Sequence, residues 1–310
     1  MAFVSVVLPA YKAAFLQQAL DSILAQTFTD YELIIVDDDS PEDLERIVRQ
    51  YDDPRIQYYR NPQNIGGRSL VAQWTNCIAY ASGTYLVLAA DDDYYHPEFL
   101  QTCVGLSQRY PHVDLIRTGA QQIDEHNQLI GIDGILPEYC SKYHYLFYWI
   151  QATAFTCMGN MMFKTEVLKK NGFIDFPCAF GSDTAIGVRM SEKGVASSPR
   201  MLFSFRISAI HLSSNINKLA EKLEANTLLF EWLKNLSYER PEDPLDQFMF
   251  EKTTWPVLYA KCTYDYYNLV IRHLPFYKFY EINKCRLLTR RDKFVMFLRF
   301  WKDQLIGHGG

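Results

Sequence analysis

Tyr85-Leu86-Val87-Leu88-Ala89-Ala90-Asp91-Asp92-Asp93 is a short apolar run that ends in three carboxylates. A run of this length, entered from Gly83, reads as a buried strand. Three carboxylates at its exit repel one another unless a counter-charge sits among them, and a hard divalent cation is one natural answer. A solvated acidic turn before a helix starting near Pro97 is the other reading. A second run, Leu33-Ile34-Ile35-Val36, ends in Asp37-Asp38-Asp39. Two buried strands with acidic exits predict one shared sheet edge, and open α/β sheets gather ligands at that edge.

Working outward, residues 3–8 read as a first strand and Pro9-Ala10-Tyr11 as the loop leaving it. Phe15, Ala19, Leu20, Ile23 and Leu24 recur at helical spacing. Ser40-Pro41-Glu42-Asp43 resembles a helix start, with Ser40 as N-cap, Pro41 in the first position and Asp43 closing a capping box. Residues 56–59 predict a short third strand. Gly66-Gly67 break into a helix that runs to Tyr80 and stops at Ser82-Gly83. This βαβαβαβ order predicts an α/β fold, a mainly parallel sheet sandwiched by helices. Further on, residues 97–110 read as a helix, 114–118 as a strand and 138–150 as an aromatic helix. Residues 159–163 then read as a strand and 165–171 as a helix ended by Gly172. A helix over 182–193 closes at Gly194, and 204–207 is a last candidate strand. From Asn217 the pattern is helical, broken by the polar segment 238–244. The expected organisation is a domain over 1–215 and a helical extension over 216–310.

The chain has 310 residues, 48% apolar and 22% charged, ordinary values for a globular protein. Its seven cysteines form no C-x-x-C pair, so buried free thiols are expected and a zinc site is not. No run has the length of a transmembrane helix. The chain opens on a strand-like run without a charged leader pattern, which predicts a cytoplasmic protein. Charge is uneven: residues 251–310 hold eleven Lys/Arg against five Asp/Glu, while the whole chain is at −5. That basic tail is also rich in aromatics, among them Trp255, Tyr264, Phe276, Tyr277, Phe294 and Trp301. It reads either as a peripheral contact with the inner face of the cell membrane or as a helical subdomain with its aromatics inside.

Taken in order, the segments resemble a known family. Val7-Leu8-Pro9-Ala10-Tyr11, Gln26-Thr27-Phe28, residues 32–40, Asn64 with Gly66, Asn76, Ala81-Ser82-Gly83, Asp91-Asp92-Asp93 with Pro97-Glu98, and Gly181-Ser182-Asp183 resemble a family 2 glycosyltransferase of the GT-A (Rossmann-like) fold, over roughly residues 3–212. The family often shows Asp, any residue, then two Asp after the fourth strand; here the first of those positions is Ala90.

The resemblance implies a metal-dependent inverting transfer from a nucleotide-diphosphate sugar, a UDP-sugar first, to a hydroxyl of a carbohydrate or lipid-linked acceptor, and no nucleic-acid partner. It implies Mn2+ or Mg2+ held by Asp92 and Asp93, with His211 as a further ligand. Pro9, Ala10 and Tyr11 would line the base, Asp38 would accept from the base edge, and Asp91 would accept from the ribose. Arg68 would meet a phosphate, and Asp183 would serve as general base. Tyr145, Tyr148 and Trp149 would line the acceptor site or simply pack the core.

Alternatives are a degenerate nucleotide-sugar-binding protein, or a phosphotransferase with Asp37 as nucleophile. A dinucleotide oxidoreductase and a P-loop NTPase lack their glycine motifs here.

Overall fold

Strand β1 (Val4–Ala10) is the axis of the N-terminal half. It pairs in parallel with β2 (Tyr31–Asp37) and β4 (Tyr85–Leu88), and β2 pairs in parallel with β3 (Ile56–Arg60). The structure is a computed structural model and describes residues 2–208 and 218–306. Between these strands run α1 (Leu16–Leu24), α2 (Leu44–Val48) and α3 (Leu70–Ala79). Then follow β5 (Tyr94–Tyr95), α4 (Phe99–Arg109), β6 (Leu115–Ile123), β7 (Leu129–Ile132), β8 (Tyr139–Cys140) and α5 (Lys142–Ile150). After them come β9 (Met161–Lys164), α6 (Thr165–Asn171), α7 (Ser182–Met190) and β10 (Val195–Arg206). The sheet order is β3-β2-β1-β4-β9-β6-β10-β5, with β7 on β6 and β8 on β10. The sheet is mixed, and most of its paired residues lie in parallel ladders, as the alternating pattern predicted.

Burial explains why these segments hold. Val4, Val6, Leu8 and Ala10 of β1 pack with Leu16, Ala19, Leu20 and Ile23 of α1 and with Phe99, Leu100 and Cys103 of α4 in one cluster. Each fully buried aliphatic side chain contributes about 1.5–3 kcal/mol. All cysteines are free thiols, and only Cys178 is not fully buried.

Several expectations need correction. β1 continues through Pro9 and Ala10, where a loop was predicted. Pairing with β4 ends at Val7–Leu88, so beyond it the ladder on that side needs no N–H from Pro9. The N-cap of α2 is Asp43, whose carboxylate accepts from Arg46 N at 3.1 Å. Ser40 instead donates to the Tyr11 carbonyl at 2.6 Å. Helix α3 starts at Leu70 behind its cap Ser69, and α5 at Lys142 behind Ser141, so the predicted helices over 66–80 and 138–150 begin too early. The expected strand over 204–207 is the end of the much longer β10. Its polar stretch Ser197-Ser198-Pro199-Arg200 and the register shifts between Ser198 and Phe203 hide it from pattern reading.

Two compact units emerge. One comprises Met1–Asp175 and Ser182–Ala209, and the other Phe176–Gly181 and Ile210–Gly310. Residues 176–181 group with the second unit because Phe180 lies 5.9 Å from Lys222 Nζ and Gly181 abuts Leu229, both on α8 (Leu219–Lys234). The expected boundary at 215/216 lies outside the described residues. The second unit continues with α9 (Pro244–Glu251), α10 (Trp255–Asp265) and α11 (Arg290–Ile306).

Candidate active site

Register gathers the acidic exits. Ala10 pairs with Asp37 and Val7 with Leu88, so Tyr11, Asp38 and Asp91 leave three adjacent parallel strands at one edge. Asp91 Oδ2 accepts from the backbone amides of Tyr11 and Lys12, at 2.8 Å each. This ties the loop after β1 to the loop after β4, and the Ser40 hydroxyl ties the same loop to the exit of β2. Tyr11 is 41% exposed at the edge.

Asp38 is buried and organises the next loop. Its Oδ1 accepts from Asn61 Nδ2 at 2.8 Å and Ile65 N at 2.9 Å, and its Oδ2 from Gly66 N at 2.7 Å. Gly66 is required by this close approach, since a Cβ there would lie 2.8 Å from Asp38 Oδ2. Asp37 is equally committed, to Ser40 N, Tyr58 and Arg60, which leaves it no freedom to act as a nucleophile.

The triple aspartate divides its work. Asp92 and Asp93 are buried. Asp93 Oδ1 accepts from Arg206 N at 3.0 Å. The buried Arg206 guanidinium gives its protons to neutral oxygens: the Asp92 carbonyl at 2.7 Å, the Asp124 carbonyl at 3.1 Å, Asn127 Oδ1 at 2.7 Å and Gln18 Oε1 at 3.1 Å. Its carbon sits 4.3 Å from the Phe15 ring centre. The Arg206 guanidinium is thus a fixed positive charge beside the carboxylates that consumes none of their oxygens. Burial still dominates. It pushes Asp91 up to about 6, with the Asp92 charge adding to it. It raises Asp92 against the pull of Lys12 and Arg206, and it raises Asp93 strongly, again with Asp92 adding. Carboxylates held in this state favour an incoming cation.

Among the described residues, no three His, Cys, Asp or Glu converge tightly enough to cage a metal alone. The donor set fits Mg2+ or Mn2+ in another way: such ions take one or two carboxylates and complete their shell with substrate phosphates and water.

Asp183 opens α7. Its Oδ1 accepts from Thr184 N at 2.7 Å, and burial pushes its carboxyl up to about 6. Thr184 bonds Thr156 across to the segment before β9, at 2.9 Å. One turn further along, Gly187 leaves room for the Tyr145 hydroxyl, which would lie 2.7 Å from a Cβ there. Asp183 and the triple aspartate belong to the same compact unit. Cys157 is pushed up by burial, by the charge of Asp93 and, to a lesser degree, by that of Asp183.

Of the residues singled out in the sequence, Pro9, Ala10, Tyr11, Asp38 and Asp91 lie at one edge. Asp92 and Asp93 adjoin them, and Asp183 lies at the start of α7 in the same compact unit. Arg68 is exposed on the turn before α3. His211 lies outside the described residues. Tyr145 and Trp149 are buried, because α5 turns them into the core, so they do not line an open acceptor site; Tyr148 is half-buried. Sequence reasoning missed Arg206, Asn61 and Lys12. Only Arg206 left a signal: a lone arginine at the exit of an apolar strand, in a chain whose acidic edge demands a counter-charge.

Comparison with known proteins bears on the family and the fold. The family model described as Glycosyl transferase family 2 matches residues 5–172. EpsE of Bacillus subtilis is 31% identical over 137 residues, covering 43% of this chain and 48% of that protein. The chondroitin synthase of Escherichia coli is 28% identical over 132 residues, covering 41% of this chain and 18% of that protein. The chain thus spans about half or less of the length of these relatives. Among solved structures, S. aureus TarS 1–349 in complex with UDP-GlcNAc superposes with a TM-score of 0.66 at 15% identity, covering 99% of this chain and 92% of that one. The mannosyltransferase PcManGT of Pyrobaculum calidifontis, in complex with GDP-Man and Mn2+, gives 0.55 at 15% identity, covering 98% and 87%. These likenesses establish a GT-A fold, and with the family match over more than half its length the chain belongs to glycosyltransferase family 2.

Proposed function

We propose that the chain is a metal-dependent inverting glycosyltransferase, with residues 1–215 as its catalytic domain. It moves a hexosyl or hexosaminyl group from a nucleotide-diphosphate sugar, a UDP-sugar first, to a hydroxyl of a carbohydrate or lipid-linked acceptor. Its place is at the cytoplasmic side of a pathway that builds a surface polysaccharide, lipopolysaccharide or capsule. The observation that carries this reading is the presence of two acidic groups of different character in one compact unit. One is the Asp91–Asp93 cluster on a fixed arginine, and the other is Asp183 with its carboxyl raised to about 6.

The reading gives each residue a role. Tyr11 stacks on the base, with Pro9 and Ala10 setting its loop. Asp38 accepts from the base edge with a lone pair left over from the Asn61–Gly66 loop. Asp91 keeps Oδ1 for a ribose hydroxyl while Oδ2 holds the amides of Tyr11 and Lys12. Asp92 and Asp93 would hold Mn2+ or Mg2+, and His211 is a further candidate. The ion supplies Lewis-acid neutralisation of the diphosphate. Arg68, beside the first turn of α3, meets a phosphate oxygen. Asp183 takes the acceptor hydroxyl proton as that oxygen bonds to the anomeric carbon and the bond to the diphosphate oxygen breaks on the opposite side, which inverts the anomeric centre. A carboxyl near 6 is ionised at neutral pH yet more basic than a free aspartate, which suits this task.

The test is a panel of nucleotide sugars with manganese, read by thermal shift. The reading expects one donor to raise the midpoint and to release its nucleoside diphosphate on turnover. A panel with no shift refutes it, and binding without release in the presence of acceptor glycans makes the chain a degenerate binding protein.

A further inference from the structure

Helix α11 is apolar on two opposite faces. On the inner one, Met296 and Phe300 are buried, and the Tyr267 hydroxyl donates to Asp303 Oδ2 at 2.6 Å. Asp292 turns to the same side, where it accepts from the hydroxyls of Tyr259 and Thr289. On the outer face Phe294, Leu298, Trp301 and Leu305 follow one another at steps of four, three and four. They are 61%, 52%, 39% and 77% exposed. At about 100° per residue these four directions fall within a sector of roughly 60°, opposite the buried side. Arg290 and Arg291 begin the same outer face and Lys302 flanks it, all three exposed. Both acids of the helix lie on the inner side.

The neighbouring segment extends this surface. Phe276, Tyr277 and Tyr280 of the 3-10 run Phe276–Lys284 are exposed, and Phe276 meets Trp301 edge-on at 5.1 Å. Residues 276–306 hold eight Lys/Arg against three Asp/Glu. The third acid, Glu281, is paired with Lys284 at 3.1 Å. An exposed apolar surface of this kind needs an occupant. A second copy of the chain would bring cations against cations, a costly juxtaposition. No helix among the described residues is long and apolar enough to cross a membrane. An anionic lipid leaflet answers both the apolar stripe and its cationic border.

We propose that the outer face of α11, extended by Phe276, Tyr277 and Tyr280, is a docking surface for an anionic membrane. The helix lies in the headgroup plane, with Phe294, Leu298, Trp301 and Leu305 inserted and Arg290, Arg291 and Lys302 at the phosphates. Lipid binding at this surface does not depend on the sugar transfer proposed above.

Co-sedimentation of the full chain with phosphatidylcholine vesicles, with and without phosphatidylglycerol, tests it. Expected is binding to the anionic vesicles at least tenfold tighter than to the neutral ones, weakened by salt. Arg290→Gln and Arg291→Gln each cost roughly fivefold in partitioning. Phe294→Ser with Leu298→Ser and Leu305→Ser removes binding while the thermal midpoint of the protein stays unchanged. Trp301 emission, isolated by difference against Trp301→Phe, shifts to the blue on the anionic vesicles. Three results overturn the proposal: no binding to either vesicle, equal binding by the triple serine variant, or a wild-type dimer in light scattering that the serine variant dissociates.

Discussion

Replacing Asp183 by Asn makes a prediction with two opposed halves. Folding moves this carboxyl from 3.8 to about 6, chiefly by burial. Each unit is worth about 1.4 kcal/mol, so the ionised form costs the folded state about 3 kcal/mol, and about 2 once the half-buried carboxylate's contact with water is discounted. The sign runs against the usual aspartate. Because the folded pKa is raised, the cost is full above about 6, shrinks as pH falls through 6 toward 3.8, and vanishes below. Asn keeps an oxygen for the Thr184 amide and removes the charge. Asp183→Asn therefore gains about 2 kcal/mol at pH 8 and little near pH 4, seen as a thermal midpoint raised by several degrees only at the higher pH. In the same variant, transfer falls by roughly 10²–10⁴-fold with donor binding retained. The wild-type rate declines below pH 6, where the base becomes protonated. Measurements are thermal unfolding at the two pH values, calorimetry of nucleotide binding, and initial rates of nucleoside diphosphate release. Full transfer activity in the variant refutes the role of Asp183. An equal change in midpoint at both pH values refutes the electrostatic reasoning.

Other perturbations reach different parts of the site. Arg206→Met removes the fixed charge beside Asp92 and Asp93 and should destabilise by about 3–5 kcal/mol at pH 8 in urea unfolding. That loss should shrink as acid protonates the carboxylates whose values burial has raised. Gly187→Ala drives a Cβ against the Tyr145 hydroxyl and should cost about 1–3 kcal/mol, most of which Tyr145→Phe restores in the double variant. Gly66→Ala crowds Asp38 Oδ2 and should weaken donor binding in calorimetry while leaving Asp92 and Asp93 in place.

What the sequence carried was the local and periodic information. Residues 3–8, Leu33 to Val36 and Tyr85 to Ala90 announce buried strands through their apolar runs, and the acidic exits of the last two announce the edge. Asp183 was reached only through resemblance, since alone it reads as a helix cap. Arg206 was hidden because its guanidinium donates to the backbone carbonyls of Asp92 and Asp124 and to the side-chain oxygens of Gln18 and Asn127, and no spacing rule links such distant positions. The full length of β10 was masked by a polar bulge, and the burial of Tyr145 by a helix whose aromatics face both ways. Ser40 shows local propensity losing to tertiary demand: a good N-cap residue is used to hold the Tyr11 loop, and Asp43 caps in its place.

The most direct test of the acidic edge is calorimetric titration of UDP, and of the nucleotide from any donor that shifts the midpoint, with and without manganese. The comparison is between the wild-type chain and a variant carrying Asp92→Ala and Asp93→Ala. The account predicts binding that is strengthened at least tenfold by manganese in the wild type, with that metal-dependent part absent in the variant. Manganese-strengthened binding that survives the double substitution would contradict it.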